Sequence, residues 1–289
     1  MRKRVLVTGK TGQLGLSLGK LAYLYSQHEF TFVGRDVLDL SQSNNITEYF
    51  QSKKFDVIIN CAAYTEVDKA ESDPELANQI NHLAVRQLAE IAKEQGAVLI
   101  HISTDYVFNG QNHKPYVETD CVDPINVYGK TKLKGEQAIL EIRPKGVIIR
   151  TSWLYSEFGN NFVKTMLRLG VERDSLNVIY DQVGSPTYAG DLAKAIVDII
   201  SSDSELDSTA PQIVHYSNEG VCSWYDFAKM IFEFMSINCN IVPIEAKSYP
   251  RPAKRAHYSV LNKYKIKQIY ELKIPYWQES LRLCLKGLL

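Results

Sequence analysis

The segment RVLVTGKTGQLG, from Arg4 to Gly15, gives the first indication of the architecture. Its apolar start predicts a β-strand, Arg4–Thr8, and glycines then follow at positions 9, 12 and 15 as an apolar helix begins. Glycine permits a tight turn, lets backbone N–H groups approach a pyrophosphate and lets the helix pack closely on the strand. Strand, glycine turn and helix in this order predict a dinucleotide site at the helix N-terminus, and a tight turn without a ligand is the alternative.

The first half of the chain repeats this alternation of strand and helix. The clearest helix is predicted for Pro74–Gln95, where apolar residues recur at helical spacing after a proline in the first turn. Near-continuous apolar runs are typical of parallel strands that are covered on both faces. Further strands are predicted at Phe30–Val33, Asp56–Asn60, Ala97–Ser103 and Val147–Arg150. The pattern predicts an α/β fold, a Rossmann-type doubly wound parallel sheet.

The second half is less regular and predicts a smaller α/β substrate domain that is partly interleaved with the first. The dinucleotide-binding domain is expected at residues 1–150 plus about 174–212, and the substrate domain at about 151–173 plus 213–289. Residues 201–212 are polar and resemble a linker. Helices are predicted at Asn161–Gly170, closed by its glycine, at Ala189–Ile200 and at Ser223–Met235, and short strands at Ile213–Ser217 and Ile241–Ile244.

Composition excludes several classes of protein. Lysine plus arginine (33) balance aspartate plus glutamate (33), which argues against a nucleic-acid partner. The N-terminus does not resemble a signal peptide, and no apolar run approaches the ~20 residues that span a bilayer, so no membrane partner is expected. The five cysteines are Cys61, Cys121, Cys222, Cys239 and Cys284. Because they are odd in number and lack metal-ligand spacing, we expect reduced thiols in a cytoplasmic protein.

A tyrosine and a lysine stand four residues apart in NVYGKTKLKGE, Asn126 to Glu136. On a helix this spacing puts Tyr128 and Lys132 on one face, although the pair alone is a weak signal among 17 tyrosines. A phenol titrates near ~10, and a neighbouring ammonium favours the phenolate. Ser103 and Thr104 end the strand at the edge where such sheets bind ligands. Together these residues predict a site that reduces a carbonyl group and protonates its oxygen.

The segment FVGRD, which ends the second strand, bears on the choice of cofactor. NAD-selective sites usually carry an acidic residue there, to bind the ribose 2′-OH. Here Gly34 and Arg35 occupy that place, and Asp36 follows. Arg35, assisted by Lys10, is suited to pair a 2′-phosphate, whereas a solvated surface arginine is the alternative. We expect NADPH to be preferred and NADH to remain usable.

Several segments together resemble an extended short-chain dehydrogenase/reductase and, within that superfamily, the dTDP-4-dehydrorhamnose reductase family. They are VTGKTGQLG, INCAAYTEVDKAE, HISTDYVFNG, ETDCVDPINVYGKTKLKGE, RTSWLY, GNNFVKTMLRL, DQVGSPT and YPRPAKRAHYSVLN. The likeness runs from Val5 to about Leu261. It implies that hydride from a nicotinamide reduces C4 of a 4-keto-L-sugar nucleotide, giving dTDP-L-rhamnose for surface polysaccharide.

The resemblance also implies roles for individual residues. The implied catalytic residues are Thr104, which binds the C4 oxygen, Tyr128, which protonates it, and Lys132. The implied cofactor residues are Gly9, Lys10, Thr11, Gly12, Gln13, Leu14, Gly15, Arg35, Asp39, Leu40, Ala62, Ala63, Tyr64, Ser103, Tyr128 and Lys132. The implied substrate residues are Thr65, Val67, Asp68, Thr104, Asp105, Tyr106, Tyr128, Trp153, Asn161 and Arg255.

Two of the substrate residues also have specific chemical arguments. The ring face of Trp153 suits a deoxysugar, although a tryptophan packed at a domain junction is the alternative. The planar guanidinium of Arg255 suits the pyrophosphate, and Phe162 and Lys164 are further candidates. For Lys254, in the same basic loop, a solvated side chain is the interpretation we adopt.

The chain departs from the family pattern at a metal site. Some members form a dimer bridged by magnesium, and the residues here at two of the acidic positions are Ser17 and Gly190, which leaves Asp191 alone. One carboxylate is too few for a hard cation. We therefore expect no metal, and a monomer or a weak homodimer.

Two other functions remain open on the sequence. A nucleotide-sugar epimerase or dehydratase of the same superfamily shares the fold and the Tyr-x-x-x-Lys motif, although DQVGSPT and the late basic loop favour the reductase. A non-catalytic dinucleotide-binding regulatory subunit, as serves methionine adenosyltransferase, is the second alternative. Against it stand intact Thr104, Tyr128 and Lys132.

Overall fold

The structure, a computed structural model, describes residues 2–202 and 210–289. The strands are β1 Arg4–Thr8, β2 Glu29–Val33, β3 Val57–Asn60, β4 Val98–Thr104, β5 Gly146–Thr151, β6 Leu154–Tyr155, β7 Ser175–Ile179, β8 Val183–Gly184, β9 Thr187–Tyr188, β10 Gln212–His215, β11 Cys222–Ser223 and β12 Asn240–Ile244. The helices are α1 Gln13–Ala22, α2 Ser43–Gln51, α3 Val67–Ala70, α4 Pro74–Asn78, α5 Ala84–Gln95, α6 Val127–Ile142, α7 Phe162–Glu172, α8 Ala189–Ser201, α9 Trp224–Phe234, α10 Tyr264–Tyr270 and α11 Trp277–Lys286.

In the part of the chain that the structure describes, the main sheet has six parallel strands in the order β10-β5-β4-β3-β1-β2. β3 and β5 are buried along their whole length, as their continuous apolar runs predict. One apolar core lies on each face, the first around α2, α5 and α6 and the second around α1 and α8. The predicted Rossmann-type doubly wound sheet is confirmed. It puts the carboxyl ends of β1, β3, β4 and β5 at one edge.

The predicted domain boundaries need correction at two strands. β10 belongs to the predicted substrate domain but pairs with β5 in the main sheet. β7 belongs to the predicted dinucleotide domain but pairs with β12, outside that sheet, beside a separate core around α7, α9 and α11. The polar stretch expected as a linker falls largely on residues 203–209, outside the described residues. Strand pairing over long sequence distances, which local pattern does not encode, decides both corrections.

Two helices of the structure differ in detail from the helices that the sequence predicts. The helix expected at Pro74–Gln95 is continuous but contains a π-helical turn, Gln79–Leu83. The helix expected to close at Gly170 continues to Glu172. A Cβ at Gly170 would lie 2.6 Å from Cζ of Phe232, so this glycine allows α7 to approach α9 and does not end the helix. No helix in the described ranges has the length and apolar character that a bilayer crossing requires.

Candidate active site

The turn between β1 and α1 depends on its glycines. Gly9 has a φ of +72°, and a Cβ there would lie 2.9 Å from the backbone nitrogen of Ala62. A Cβ at Gly15 would lie 2.2 Å from the carbonyl oxygen of Gly9. Gly12, which precedes α1, offers no side chain to cap the helix. The glycines thus let the turn pack closely on the start of α1 and on the segment after β3, and the first N–H groups of α1, which no side chain caps, suit a pyrophosphate.

A cleft of about 610 Å³ lies above the carboxyl ends of the central strands. It has the position that open α/β sheets give to their ligands. The cleft brings together most of the residues that the sequence suggested for cofactor and substrate. These are Gly9, Thr11, Gly12, Gln13, Leu14, Arg35, Asp39, Leu40, Ala62, Ala63, Thr65, Val67, Ser103, Thr104, Asp105, Tyr106, Tyr128, Lys132 and Trp153.

Six of the implied cofactor and substrate residues do not line the cleft, and neither do the further candidates Phe162 and Lys164: the six are Lys10, Gly15, Tyr64, Asp68, Asn161 and Arg255. Gly15 and Tyr64 are buried beside it, and the Tyr64 backbone N–H donates to Oδ1 of Asn81 at 2.9 Å. Asn161 caps α7, because its Oδ1 accepts from the Lys164 backbone N–H at 3.1 Å. Lys10 forms an ion pair with Asp36, and Arg255 forms one with Asp68.

Sequence reasoning missed other residues that line the cleft: Gly34, Leu38, Cys61, Ile80, Ile102, Thr151, Ser152, Leu154, Gly159 and Asn160. Thr151 and Ser152 end β5 at the same edge as Thr104, so the rule that located Thr104 would have found them. Ile80 lies in the π-helical turn of 79–83, for which the sequence carries no clear signal.

Helix α6 carries Tyr128 and Lys132 and starts at a well-formed cap. Oδ1 of Asn126 accepts from the Gly129 backbone N–H at 2.8 Å. A Cβ at Gly129 would lie 2.2 Å from the carbonyl oxygen of Tyr106. Only glycine lets α6 pack so closely on the short turn that follows β4. This packing puts the Tyr128 side chain beside Thr104 in the wall of the cleft.

Burial controls the ionisation of both residues. Burial raises the pKa of Tyr128 well above its usual range, while the hydrogen bond with Thr104 lowers it. Burial lowers the pKa of Lys132 to about 8, against the opposing influence of Glu136 and Cys61. Nζ of Lys132 donates to the Ile102 carbonyl oxygen at 2.7 Å. At neutral pH the phenol is therefore protonated, the form that a proton donor requires.

Asp105 lies next to this pair and is almost fully buried. Burial raises the pKa of its carboxyl to about 7, although hydrogen bonds with Thr104 and Ser259 oppose the rise. The Thr104 hydroxyl donates to Oδ1 of Asp105 at 3.0 Å and accepts from the Tyr106 backbone N–H at 3.2 Å. These contacts fix the orientation of the Thr104 hydroxyl in the cleft.

A buried ion pair joins α6 to β5. Nη2 of Arg150 lies 2.6 Å from Oε2 of Glu136, and both side chains are at most 3% exposed. The Ser103 hydroxyl donates to Oε1 of Glu136 at 2.5 Å. Ser103, suggested as a cofactor residue, thus uses its hydroxyl to join β4 to α6. The arrangement ties the helix that carries Tyr128 and Lys132 to β4 and β5.

Trp153 both lines the cleft and packs against other side chains. It lines the cleft, and its ring stacks on Trp224 with centroids 3.6 Å apart. A Cβ at Gly184 would lie 2.7 Å from Cε2 of Trp153. The backbone of Trp153 adopts a φ of +48°, a conformation that a bulky residue keeps only when its surroundings impose it. Packing therefore holds this ring in the wall of the cleft.

Charged groups lie at two places outside the lining. Nη2 of Arg255 is 2.9 Å from Oδ2 of Asp68, and Nη1 of Arg251 is 3.5 Å from the same oxygen. Near Arg35, Nζ of Lys10 donates to Oδ2 of Asp36 at 2.9 Å, and this contact lowers the pKa of Asp36. Unlike Lys10 and Asp36 beside it, Arg35 lines the cleft.

Ser17 and Asp191, which stand at the metal position expected from the resemblance, use their side chains in contacts within the fold. Ser17 is buried and its hydroxyl donates to the Gln13 carbonyl oxygen at 2.9 Å. Oδ2 of Asp191 accepts from Nδ2 of Asn218 at 2.7 Å and from the Ser280 hydroxyl at 2.5 Å. Among the residues that the structure describes, no three His, Cys, Asp or Glu side chains are grouped so as to hold a metal ion.

Comparison with known proteins relates this geometry to a family. The family model described as the RmlD substrate binding domain matches residues 2–289. The dTDP-4-dehydrorhamnose reductase of Escherichia coli (strain K12) is 43% identical over 294 residues, covering 98% of this chain and 97% of the relative. The chain belongs to the dTDP-4-dehydrorhamnose reductase family.

Two further relatives extend the comparison within the family. A crystal structure of dTDP-4-dehydrorhamnose reductase from Bacillus anthracis, in complex with NADP, is 38% identical with a TM-score of 0.93. The comparison covers 99% of this chain and 100% of that one. The spore coat polysaccharide biosynthesis protein SpsK of Bacillus subtilis (strain 168) is 38% identical, covering 96% of this chain and 95% of the relative. Membership of the family thus agrees with the resemblance inferred from the motifs.

Proposed function

We propose that the chain reduces the C4 ketone of dTDP-4-dehydro-L-rhamnose with NAD(P)H and forms dTDP-L-rhamnose, a nucleotide sugar for surface polysaccharide. The observation that carries this proposal is the position of Thr104, Tyr128 and Lys132 together in the lining of one cleft, at the carboxyl end of β4. It puts a hydroxyl that can hold a carbonyl oxygen beside a phenol that can protonate it. Family membership supplies the sugar nucleotide as the substrate class.

The chemistry divides between the cofactor and the side chains. A bound nicotinamide dinucleotide supplies the hydride that the carbonyl carbon accepts. When the ketone binds, the Thr104 hydroxyl turns its one proton from Asp105 to the C4 oxygen, and the Tyr128 phenol donates the proton that completes the alcohol. Lys132, charged below a pKa of about 8, holds the nicotinamide ribose. Burial of Tyr128 raises its pKa, so the phenol holds this proton at neutral pH.

The proposed cofactor site extends from the glycine turn to the adenosine end. Gly9, Gly12 and the start of α1 receive the pyrophosphate, because both glycines line the cleft and no side chain caps the first N–H groups of α1. Further contacts are proposed for Lys10, Thr11, Gln13, Leu14, Asp39, Leu40, Ala62, Ala63, Tyr64 and Ser103. We propose that NADPH is preferred and NADH still accepted. Arg35 in the cleft supports this preference, since Lys10 partly neutralises the carboxylate of Asp36.

The proposed substrate site lies on the other side of the catalytic residues. The ring of Trp153 faces the deoxysugar. Arg255 binds the pyrophosphate, and it does so by exchanging its ion pair with Asp68 for the charge of the ligand. Thr65, Val67, Asp105, Tyr106 and Asn161 complete the proposed set.

Some broader properties belong to the same proposal. We propose that no metal takes part and that the protein is a monomer or a weak homodimer, without nucleic-acid or membrane partners. The contacts of Ser17 and Asp191 support the first point, because they use these side chains within the fold. A cytoplasmic location is proposed because free cysteines fit a reducing compartment. The two-domain division is proposed with β7 and β10 reassigned.

A spectroscopic assay tests the function directly. Protein, NADPH and dTDP-4-dehydro-L-rhamnose are mixed, and the absorbance of the reduced nicotinamide should fall in proportion to the ketone consumed. No loss of absorbance would refute the proposal. An epimerase or dehydratase would instead retain NAD(H) through purification and consume no net NADPH. A regulatory subunit would bind NADPH without turnover.

A further inference from the structure

Three polar side chains lie in a row within the main sheet. Thr8 of β1, Asn60 of β3 and His101 of β4 are partners in the sheet register, and each is at most 1% exposed. Oγ1 of Thr8 lies 2.7 Å from Oδ1 of Asn60, and Nδ2 of Asn60 lies 3.1 Å from Nδ1 of His101. Polar groups are costly in such a core unless they are paired, so the row needs a partner at each end.

Both ends of the row reach the walls of the cleft. At one end, Oγ1 of Thr8 accepts from the Ala62 backbone N–H at 3.2 Å. At the other end, Nε2 of His101 lies 3.2 Å from Nζ of Lys132, whose second contact is the Ile102 carbonyl oxygen at 2.7 Å. The row therefore joins the proposed cofactor wall to the lysine of the catalytic pair.

The charge on Lys132 determines the tautomer of His101. An ammonium has three donors and no acceptor, so it bonds to Nε2 only when that nitrogen carries no proton. Burial and the neighbouring lysine hold the pKa of His101 well below its usual range, so the ring is neutral. Its single proton must then lie on Nδ1. This tautomer requires a half-turn of the Asn60 amide, which presents its oxygen to Nδ1 of His101 and its nitrogen to Thr8, so that Oγ1 of Thr8 accepts from both Asn60 and Ala62.

We propose that His101 is a positioning residue for Lys132. In its Nδ1–H tautomer it accepts one N–H of the ammonium, the Ile102 carbonyl accepts another, and the third N–H points into the cleft. The role of that third N–H rests on the proposed function, in which Lys132 holds the cofactor ribose. The contact between His101 and Lys132 stands on the geometry alone.

The charges around Lys132 give the direction of the expected pH effect. Glu136 on the same helix and Cys61 after β3 favour the charged lysine, while burial opposes it. Arg150 of β5 faces this group through its ion pair with Glu136. A hydrogen bond accepted by His101 also favours the charged form. Its loss should lower the pKa of Lys132, so the alkaline limb of the kcat profile should move to lower pH.

A matched pair of substitutions separates this role from general packing. His101→Gln places a carboxamide oxygen where Nε2 lies and can still accept from Lys132. His101→Asn reaches only as far as Nδ1 and keeps the contact with Asn60. We expect the Asn variant to lose about tenfold or more in kcat and its alkaline limb to move down by roughly one pH unit. The Gln variant should stay within about threefold, with its alkaline limb near that of the wild type.

Two outcomes of this pair would overturn the proposal. One is an Asn variant with the kcat and the pH profile of the wild type. The other is an equal loss in both variants, which would show that His101 acts only by filling space. Circular dichroism of both variants gives their folded fraction, by which each rate is divided.

Nitrogen-15 NMR of the wild-type protein tests the tautomer of His101 directly, without substrate. The His101 signal is assigned by its disappearance in the Gln variant or by sequential assignment of the wild type. Below pH 8, Nε2 should be unprotonated and Nδ1 protonated, and a proton on Nε2 would overturn the proposal. An unprotonated Nε2 in a protein that fails to reduce the ketone would support the positioning and reject the proposed function.

Discussion

Gly129→Ala should separate the alignment of the catalytic residues from the binding of the cofactor. The new Cβ would lie 2.2 Å from the Tyr106 carbonyl oxygen and 3.0 Å from Cβ of Pro124. An unstrained carbon–oxygen contact needs about 3.3 Å, so α6 and the turn after β4 must separate by roughly 1 Å. This separation moves Tyr128 away from Thr104, whereas the glycine turn of β1 is untouched.

The size of the effect follows from that displacement. Overpacking of this kind costs about 1–3 kcal/mol of unfolding free energy, so Tm should fall. A displacement of ~1 Å between reacting groups can cost on the order of 10²-fold, so we expect kcat to fall by about that factor. The dissociation constant of NADPH, measured by quenching of protein fluorescence, should rise by less than about tenfold, because Lys132 moves with α6 while the residues at the pyrophosphate are unchanged.

Gly19→Ala is the matched control for this variant. Gly19 also lies within a helix, α1, but its new Cβ would meet no atom closer than 3.9 Å, the distance to Cε1 of Phe32. Kinetics should be unchanged, and stability should rise by up to ~1 kcal/mol from helix propensity. If Gly129→Ala turned over at the rate of the wild type, the close packing of α6 would not be what aligns Tyr128, and the reasoning would be refuted.

Three further predictions concern the catalytic pair and the cofactor. Tyr128→Phe should lower kcat by about 10²–10⁴-fold because the proton donor is lost, and Thr104→Val should also slow turnover. Fluorescence titration should show that both variants still bind NADPH. Wild-type rates in either variant would contradict the assignment. For the wild type, kcat should decline as pH rises through about 8, because Lys132 is charged below its folded-state pKa and loses its charge above it. A stopped-flow profile of kcat that stays flat to pH 9.5 would disprove this role of Lys132. The kcat/KM for NADPH should exceed that for NADH by about five- to thirtyfold, equivalent to roughly 1–2 kcal/mol, and Arg35→Ala should narrow the gap by weakening NADPH alone. Equal or better use of NADH by the wild type would show that Asp36 and not Arg35 faces the ribose.

The sequence predicted the main sheet well because its signal is local. β3 and β5 are buried on both faces and therefore appear as apolar runs that any short window reveals. Thr104 was predicted for a related reason, since it follows such a run at the edge where ligands bind. The glycine turn was recognised because Gly9 needs a positive φ, and few other residues adopt one without strain.

What the sequence could not predict depends on contacts between distant segments. Gly170 looked like a helix end, but its role is contact with Phe232, 62 positions later in the chain. The position of β10 beside β5 is likewise a matter of pairing and not of composition. The contact of Gly129 with Tyr106 and the row that ends at His101 also belong to this class, because each joins segments from different strands or helices.

The buried ion pair between Arg150 and Glu136 has a consequence for how this protein can change over generations. Either single replacement by a neutral residue would strand the opposite charge in the core, at a cost of about 3–5 kcal/mol, a large part of the stability of an ordinary domain. A replacement of both by apolar residues of similar volume is nearly neutral by the same physics, yet it leaves the Ser103 hydroxyl without its acceptor. The three positions should therefore be inherited together, and descendants that lose one should show compensating changes at the other two.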